Sequence, residues 1–362
     1  MWFLLFMLSP LAVADSCEPV EPIAAHIARV QRGACPVDAN RLEDGATALH
    51  LAARAGDAVA VPALLALGAP PNAKDVSGRT ALMWAAKEGR AEAVTVLLAG
   101  GADAKLTANS GLTALHEGSA HADVVAALLT GGADVEAADA RGVRPLHLAA
   151  AGHPASVRRL VDASAAVDAP NGDGATPLGI ASLRGEVEVV QILIEAGAGV
   201  DLPSGGRPPL HLAAEAKHGD VVELLLRNGA DAKRRDAAER SALHAAASRG
   251  ATRVLRGLIG LGLDVDAADA EGWTPLALAI RGSHAECIDG LLAAGAKADG
   301  AMPDGIPYLH VAAQMGSLPA VSLLLRSGAD AKAVDAQGQR PIDLAPRKPK
   351  IIRQLLRKAM RR

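Results

Sequence analysis

The chain has 362 residues, room for two or three ordinary domains or one long repeat array. Half of the residues are hydrophobic but only 2% are aromatic, so a core must be built from Ala, Leu and Val, and a charged fraction of 21% argues against a disordered chain. A formal net charge of -3 excludes a general polyanion binder.

Residues 1–14 run from Met1 through Trp2-Phe3-Leu4-Leu5-Phe6-Met7-Leu8 to Ala12-Val13-Ala14, an apolar stretch ending in a small-x-small cleavage pattern. It is too short to span a bilayer as a mature helix, so the expectation is a cleaved signal peptide and export to the periplasm or beyond. An uncleaved anchor or buried leading helix is the alternative. Cys17 and Cys35 flank a helical pattern that contains Ile23, Ile27 and Val30. In an oxidising compartment they form a candidate disulfide that staples the chain end, stabilising by about 3 kcal/mol on a chain-entropy model. Two unpaired small apolar residues remain the alternative. Cys287 falls on an apolar helix position and reads as core.

From residue 45 the chain repeats. Segments open at Gly45, Gly78, Gly111, Gly142, Gly174, Gly206, Glu239, Gly272, Gly305 and Gly338, at spacings of 33, 33, 31, 32, 32, 33, 33, 33 and 33 residues. Each opens like Gly142-Val143-Arg144-Pro145-Leu146-His147-Leu148-Ala149-Ala150. A Thr or Ser caps the helix start, Pro is tolerated in its first turn, and Leu, Ala and Ala form a narrow apolar face. After a Gly break comes a second helix with a Leu-Leu or Leu-Ile pair, such as Leu97-Leu98 or Leu193-Ile194, ended by Gly-Ala or Gly-Ala-Asp. The linking stretches carry Asp and Gly, suited to tight turns.

The pattern Gly-x-Thr-Pro-Leu-His-x-Ala-Ala…Leu-Leu…Gly-Ala-Asp, over about residues 45 to 345, resembles the ankyrin repeat. The resemblance implies an all-α repeat solenoid: antiparallel helix pairs joined by β-hairpin fingers and stacked in an L-shaped, gently curved array. It implies about nine full repeats over 45–337, an N-terminal capping half repeat at 15–44, and a C-terminal capping repeat with a basic tail at 338–362. Neighbouring repeats must supply one another's core. Three departures stand out. Glu117-Gly118-Ser119 replaces Leu-Ala-Ala, Ser164 and Glu239 replace Gly, and the units from 111, 142 and 174 are short. The last is expected to bend or loosen the stack between about residues 111 and 205, as a hinge or as a site.

The catalytic motifs are missing. His116-Glu117-Gly118-Ser119-Ala120-His121 is no zinc-protease motif, because its histidines are five apart, roughly 140° out of alignment on a helix, where the motif needs four. No Gly-x-Ser-x-Gly elbow or phosphate-binding Gly-x4-Gly-Lys-Ser/Thr loop occurs. Six of the 11 histidines (His50, His116, His147, His211, His244 and His310) sit at the Leu-His position. There the resemblance implies a structural imidazole, bonded to backbone and tying a finger to its helices. No catalysis and no cofactor or metal are expected.

Surface recognition is then the expected function. The resemblance implies that finger tips and the outer side of the first helices line a concave binding face. The matching positions are Arg79, Lys87, Glu88, Leu112, Arg144, Arg184, Arg207, Glu215, Arg240, Arg249, Trp273, Arg281, Ile306 and Gln314. Arg and Trp are the types that most often anchor interfaces. Trp273 and Ile306, with Tyr308 close by, form the expected hot spot, although a Trp after the opening Gly also packs along the finger. Trp84, on the inward stripe, reads as core. The last eight cations (Arg347, Lys348, Lys350, Arg353, Arg357, Lys358, Arg361 and Arg362) follow the final acid, Asp343, and make the tail +8 and the remainder -11. They read as a solvated cap that complements a helix C-terminus, with contact to an anionic partner or membrane surface as the alternative. Without aromatics the tail is no nucleic-acid site. The expectation is a monomeric, exported scaffold for a protein partner. A secreted effector of a host protein and a protective or immunity partner of a periplasmic enzyme stand as alternatives.

Overall fold

The computed structural model describes residues 22–33, 35–38, 44–348 and 350–361. The expected signal peptide, Cys17 and Arg362 lie outside them. Cys35 is buried, but its proposed bridge rests on Cys17 and so lies outside them as well.

The fold is all-helical. A leading helix, α1 (Ile23–Gln31), is followed by nine helix pairs: α2 (Ala48–Ala55) and α3 (Ala60–Ala66), α4 (Ala81–Lys87) and α5 (Ala91–Ala99), α6 (Ala114–Glu117) and α7 (Ala122–Thr130), α8 (Pro145–Ala149) and α9 (Pro154–Asp162), α10 (Pro177–Arg184) and α11 (Val187–Glu195), α12 (Pro209–Glu215) and α13 (Gly219–Arg227), α14 (Ala242–Arg249) and α15 (Thr252–Ile259), α16 (Pro275–Arg281) and α17 (Ala285–Ala293), and α18 (Tyr308–Gln314) and α19 (Leu318–Arg326). A stub, α20 (Pro341–Leu344), and a longer helix, α21 (Ile351–Met360), close the chain. The fingers are turns with isolated antiparallel bridges, Lys74 with Thr80 and Arg235 with Ser241 among them, and not the hairpin strands expected. None of the described helices is long and apolar enough to cross a membrane.

The chain forms two compact units, one comprising residues 1–148 with 162–165 and the other 149–161 with 166–362. Within the first, α2 packs on α4 and α4 on α6, while α3, α5 and α7 form a parallel row. Within the second, α10, α12, α14, α16, α18 and α20 form one row and α11, α13, α15, α17, α19 and α21 the other. Two leucines per repeat fill the space between rows. Leu49, Leu82, Leu115, Leu146, Leu178, Leu210, Leu243, Leu276 and Leu309 occupy the first helices. Leu64, Leu97, Leu128, Leu160, Leu193, Leu225, Leu258, Leu291 and Leu324 occupy the second. All are buried. At about 1.5–3 kcal/mol per buried side chain they are the main source of stability. In the pairs Leu64-Leu65 and Leu97-Leu98 the first member points inward; Leu65 and Leu98 instead lie over Gly100 and Gly131 of the next repeat, where any Cβ would collide with them.

The histidines hold the polar side together. Thr47, Thr113 and Ser241 each donate their backbone N–H to Nδ1 of the histidine three residues on, His50, His116 and His244, at 3.2, 3.1 and 3.2 Å. An acceptor nitrogen carries no proton, so Nε2 must carry it. Nε2–H then donates to a carbonyl of the following finger: Arg79 from His50 (3.0 Å), Val143 from His116 (2.9 Å) and Trp273 from His244 (3.1 Å). His211 and His310 make the same outward bond, to Arg240 and Gln339 (both 2.8 Å), but their buried Nδ1 atoms have no partner. The cap residue there is Pro208 or Pro307, which has neither N–H nor hydroxyl.

A second histidine series was not anticipated. His121, His218 and His284 lie in the turns between paired helices. Each ring covers the left-handed glycine of the preceding repeat (Gly89, Gly185 and Gly250), and its Nε2 contacts the carbonyl of Lys87, Leu183 or Ser248 at 3.2 Å. A Cβ on Gly89 would meet the His121 ring at 2.8 Å, so the glycine is required by the close approach as well as by its φ of +70°. Ser164 and Glu239 do adopt positive φ, 66° and 58°, where other repeats place Gly. The irregular stretch is expressed as short first helices, four residues in α6 and five in α8.

Burial lowers the pKa of His116, His211 and His244, against hydrogen bonds to the carbonyls that oppose the shift. The unfolded chain, at an ordinary value of 6.5, therefore takes up these protons first, and stability present above pH 6.5 is lost as the pH falls below it. The midpoint of thermal unfolding should fall between pH 7.5 and pH 5; a flat profile over that interval would contradict the neutral, Nε2-protonated assignment. Substituting Pro208→Thr should supply a backbone donor for His211 and raise stability by about 0.5–1.5 kcal/mol in urea unfolding.

Candidate functional site

The expected binding positions are presented by a recurring clamp. Asp75 Oδ1 accepts backbone N–H groups of Ser77 and Arg79, closing the finger as an Asx turn. The Arg79 carbonyl is held by His50 Nε2–H. Both backbone polar groups of Arg79 are thus fixed by side chains from other positions. The same holds for Val143 between Asp139 and His116, Arg240 between Asp236 and His211, Trp273 between Asp269 and His244, and Gln339 between Asp335 and His310. Three of these five residues, Arg79, Arg240 and Trp273, are candidate contact residues. Their side chains project from backbone that cannot swivel.

In the first unit, Arg79 Nε lies 3.4 Å from Glu117 Oε1, and Arg144 Nε lies 3.1 Å from Glu136 Oε2. Lys87 is exposed. Trp84 is not core. It is half-buried and forms part of the wall of a surface cavity of about 170 Å³ shared with Arg54, Arg79, Met83, Lys87, Glu88 and Glu117. Its indole N–H donates to Asp75 Oδ2 at 3.0 Å, the Arg54 guanidinium stacks 5.3 Å from the ring centre, and His50 meets its edge. The signal was present in the repeat alignment. At the sixth position after each opening residue stand Leu51, Trp84, Glu117, Leu148, Ile180, Leu212, Ala245, Leu278, Val311 and Leu344, so Trp84 and Glu117 are the two departures, side by side.

In the second unit the candidates fall into two groups. Glu215 holds Arg207 through Oε2 and Arg249 through Oε1, the latter at 2.7 Å to a terminal nitrogen. Leu183, Lys217 and His284 complete an open groove around them. In the other group, Arg240 Nε donates to Asp269 Oδ2 at 3.0 Å, the Trp273 backbone N–H donates to Oδ1, and the Arg281 guanidinium lies 4.8 Å from the Trp273 ring centre. Burial pushes the Asp269 carboxyl up, but the Arg240 hydrogen bond, the Trp273 and Glu271 backbone bonds and the Arg240 charge together lower its pKa; the bond to Asp269 raises that of Arg240. Arg184 is exposed and forms no ion pair among the described residues.

The hot spot expected at Trp273, Ile306 and Tyr308 needs correction. Ile306 and Trp273 are half-buried, but Tyr308 is only 3% exposed, its hydroxyl 2.7 Å from that of Thr274 and its ring against Gly300. At the first helical position after Pro307, its side chain turns in between repeats and is not presented at the surface. Cys287 is fully buried, and burial pushes its thiol pKa up. Among the described residues no group of three or more His, Cys, Asp or Glu side chains is placed to hold a metal.

Two functions of the arginines can be separated. Arg240→Ala should lower stability by about 1–2 kcal/mol in urea unfolding, because Asp269, whose side chain is 1% exposed, loses a charged donor. Arg184→Ala should stay within about 0.5 kcal/mol of the parent.

The model of three consecutive ankyrin repeats matches residues 24–108, 92–171, 151–236 and 229–304, and the single ankyrin-repeat model matches 304–336. Among solved structures, the chain is similar to the human ASB11 ankyrin repeat domain, with a TM-score of 0.54 and 29% identity, over 60% of this chain and 98% of that one. No curated protein sequence matches it.

Proposed function

The chain belongs to the ankyrin-repeat family, whose members are generally non-catalytic protein–protein interaction scaffolds, and from that premise we propose that it holds one protein partner along its finger and first-helix side chains. The observation that carries the reading is the clamp on Arg79, Arg240 and Trp273. An Asx turn fixes the N–H and a buried histidine fixes the C=O, so these side chains are offered with little backbone entropy left to lose on binding. Arg207 and Arg249 are likewise prearranged by Glu215. The contact set is Arg79, Lys87 and Arg144 on the first unit and Arg184, Arg207, Arg240, Arg249, Trp273, Arg281 and Ile306 on the second. The arginine-rich set suits a partner surface bearing carboxylates and planar apolar groups.

Export is part of the proposal. It rests on the apolar residues 1–14 and their Ala12-Val13-Ala14 ending, with Cys17 and Cys35 bridged in the oxidising compartment. Recognition by fixed side chains needs no cofactor, and a monomer suffices.

The test is affinity capture from a periplasmic fraction, followed by mass spectrometry, with the parent and a variant carrying Arg184→Glu, Trp273→Ala and Arg281→Glu. None of these three side chains neutralises a buried acid, so folding should be kept, which circular dichroism checks. A single dominant partner, retained by the parent and weakened at least about tenfold in the variant, is expected. Equal retention by both would remove the second unit's face from the interface. No periplasmic partner, with the protein itself in the medium, would move the reading to a secreted effector.

A further inference from the structure

We propose that the cavity beside Trp84 receives a neutral amide side chain, asparagine or glutamine, of the protein partner. This rests on the scaffold reading above and specifies the partner's chemistry at one point.

The cavity exists because two adjacent repeats abandon the aliphatic residue that fills this place elsewhere. Trp84 and Glu117 are 33 residues apart at the same repeat position, where the other repeats carry Leu, Ile, Val or Ala. Gly118 reinforces the change, since a Cβ there would come within 2.5 Å of Val124 and 3.3 Å of Ala86. It ends α6 directly after Glu117, leaving the carboxylate at the terminus of a four-residue helix. The space of about 170 Å³ is the size of one side chain.

The polar lining selects the occupant. The Glu117 side chain is only 10% exposed, and its Oε1 accepts no hydrogen bond. Arg79 Nε, at 3.4 Å, neutralises it by charge but is not placed to donate. A buried acceptor without a donor is costly, so an occupant that brings an N–H into the cavity is favoured. The other charged lining groups are Arg54, against the Trp84 ring, and the exposed Lys87 and Glu88. Arg54 and Lys87 offer only donors, so an occupant that also carries an acceptor can pair with them. The indole N–H is committed to Asp75, leaving Trp84 as an apolar wall.

Charged side chains fit badly. A carboxylate would face Glu117 and Glu88, and a guanidinium or ammonium would face Arg54, Arg79 and Lys87, which outnumber the two acids. A primary amide has donor and acceptor on opposite sides of one flat group and no net charge. It gives its N–H to Glu117 Oε1, takes a hydrogen bond from Lys87 or Arg54, and lays its plane along the indole. An isolated hydroxyl donates and accepts from a single atom and serves one wall at a time.

The proposal is tested by NMR titration of the full chain, 15N-labelled, following the Trp84 indole N–H signal, which Trp84→Phe identifies by its loss. The probes are the N-acetyl, N-methylamide derivatives of glutamine, glutamate and lysine. The glutamine derivative should shift the signal saturably and bind about tenfold tighter than either charged derivative. Glu117→Leu, which restores the aliphatic type found elsewhere in the array, should abolish the response while leaving the fold intact. No shift with the glutamine derivative, an equal or stronger response to a charged one, or a response that survives Glu117→Leu would each overturn the proposal. The titration needs no partner, so its failure removes the amide pocket and leaves the capture result standing. A failed capture removes the scaffold reading and leaves the titration to decide the pocket.

Discussion

The structure depends on an imidazole that is bonded on both sides. In His50, His116 and His244 one nitrogen accepts from the start of its own helix and the other donates to the next finger. This sets the tautomer, buries a polar ring at the cost of a lowered pKa at His116 and His244, and links residues 27 to 29 apart in the chain. No repeat can complete that bond alone, because the receiving carbonyl belongs to its successor. The leucine rows supply the larger free energy, but burial is non-directional. The histidine bond supplies register, telling each finger where to sit against the helix before it.

The same bond produces the interaction face. The carbonyl it grips belongs to the residue just after the finger turn, and the aspartate four residues earlier grips that residue's N–H. A side chain at this place is held out from backbone with both polar groups committed. Arg79, Arg240 and Trp273 occupy it, so the element that aligns the repeats also orients the contact residues. Several of the arginines carry intramolecular partners, Asp269 for Arg240 and Glu215 for Arg207 and Arg249. These pairs restrain the guanidinium groups, and they make an arginine such as Arg240 part of the fold as well as of the surface.

Where the chain departs from its own pattern, the departures have identifiable results. Proline at 208 and 307 removes the donor to Nδ1 and leaves His211 and His310 half-bonded. Trp84 and Glu117 replace aliphatic side chains at one position of adjacent repeats and open a cavity with a buried carboxylate oxygen. The irregular stretch expected to loosen the array therefore includes, at Glu117, a wall of a polar cavity.

The sequence by itself determined the helix pairs, their number, the two leucines of each repeat and the Leu-His position. These follow from local periodicity repeated at a fixed interval, and a repeat fold turns local pattern into tertiary contact without long-range ambiguity. It also placed glycine and its substitutes Ser164 and Glu239, whose positive φ is a property of the turn. Only the tertiary structure decided which polar side chains meet. That Tyr308 turns inward to Thr274, that Trp84 borders a cavity, that His121, His218 and His284 cover the preceding repeat's glycines, and that Arg240 finds Asp269 all depend on side chains from neighbouring repeats converging across about 30 residues of chain. Periodicity assigns a residue to a face, but the rotamer it takes there depends on which neighbour offers a hydrogen bond or leaves a gap.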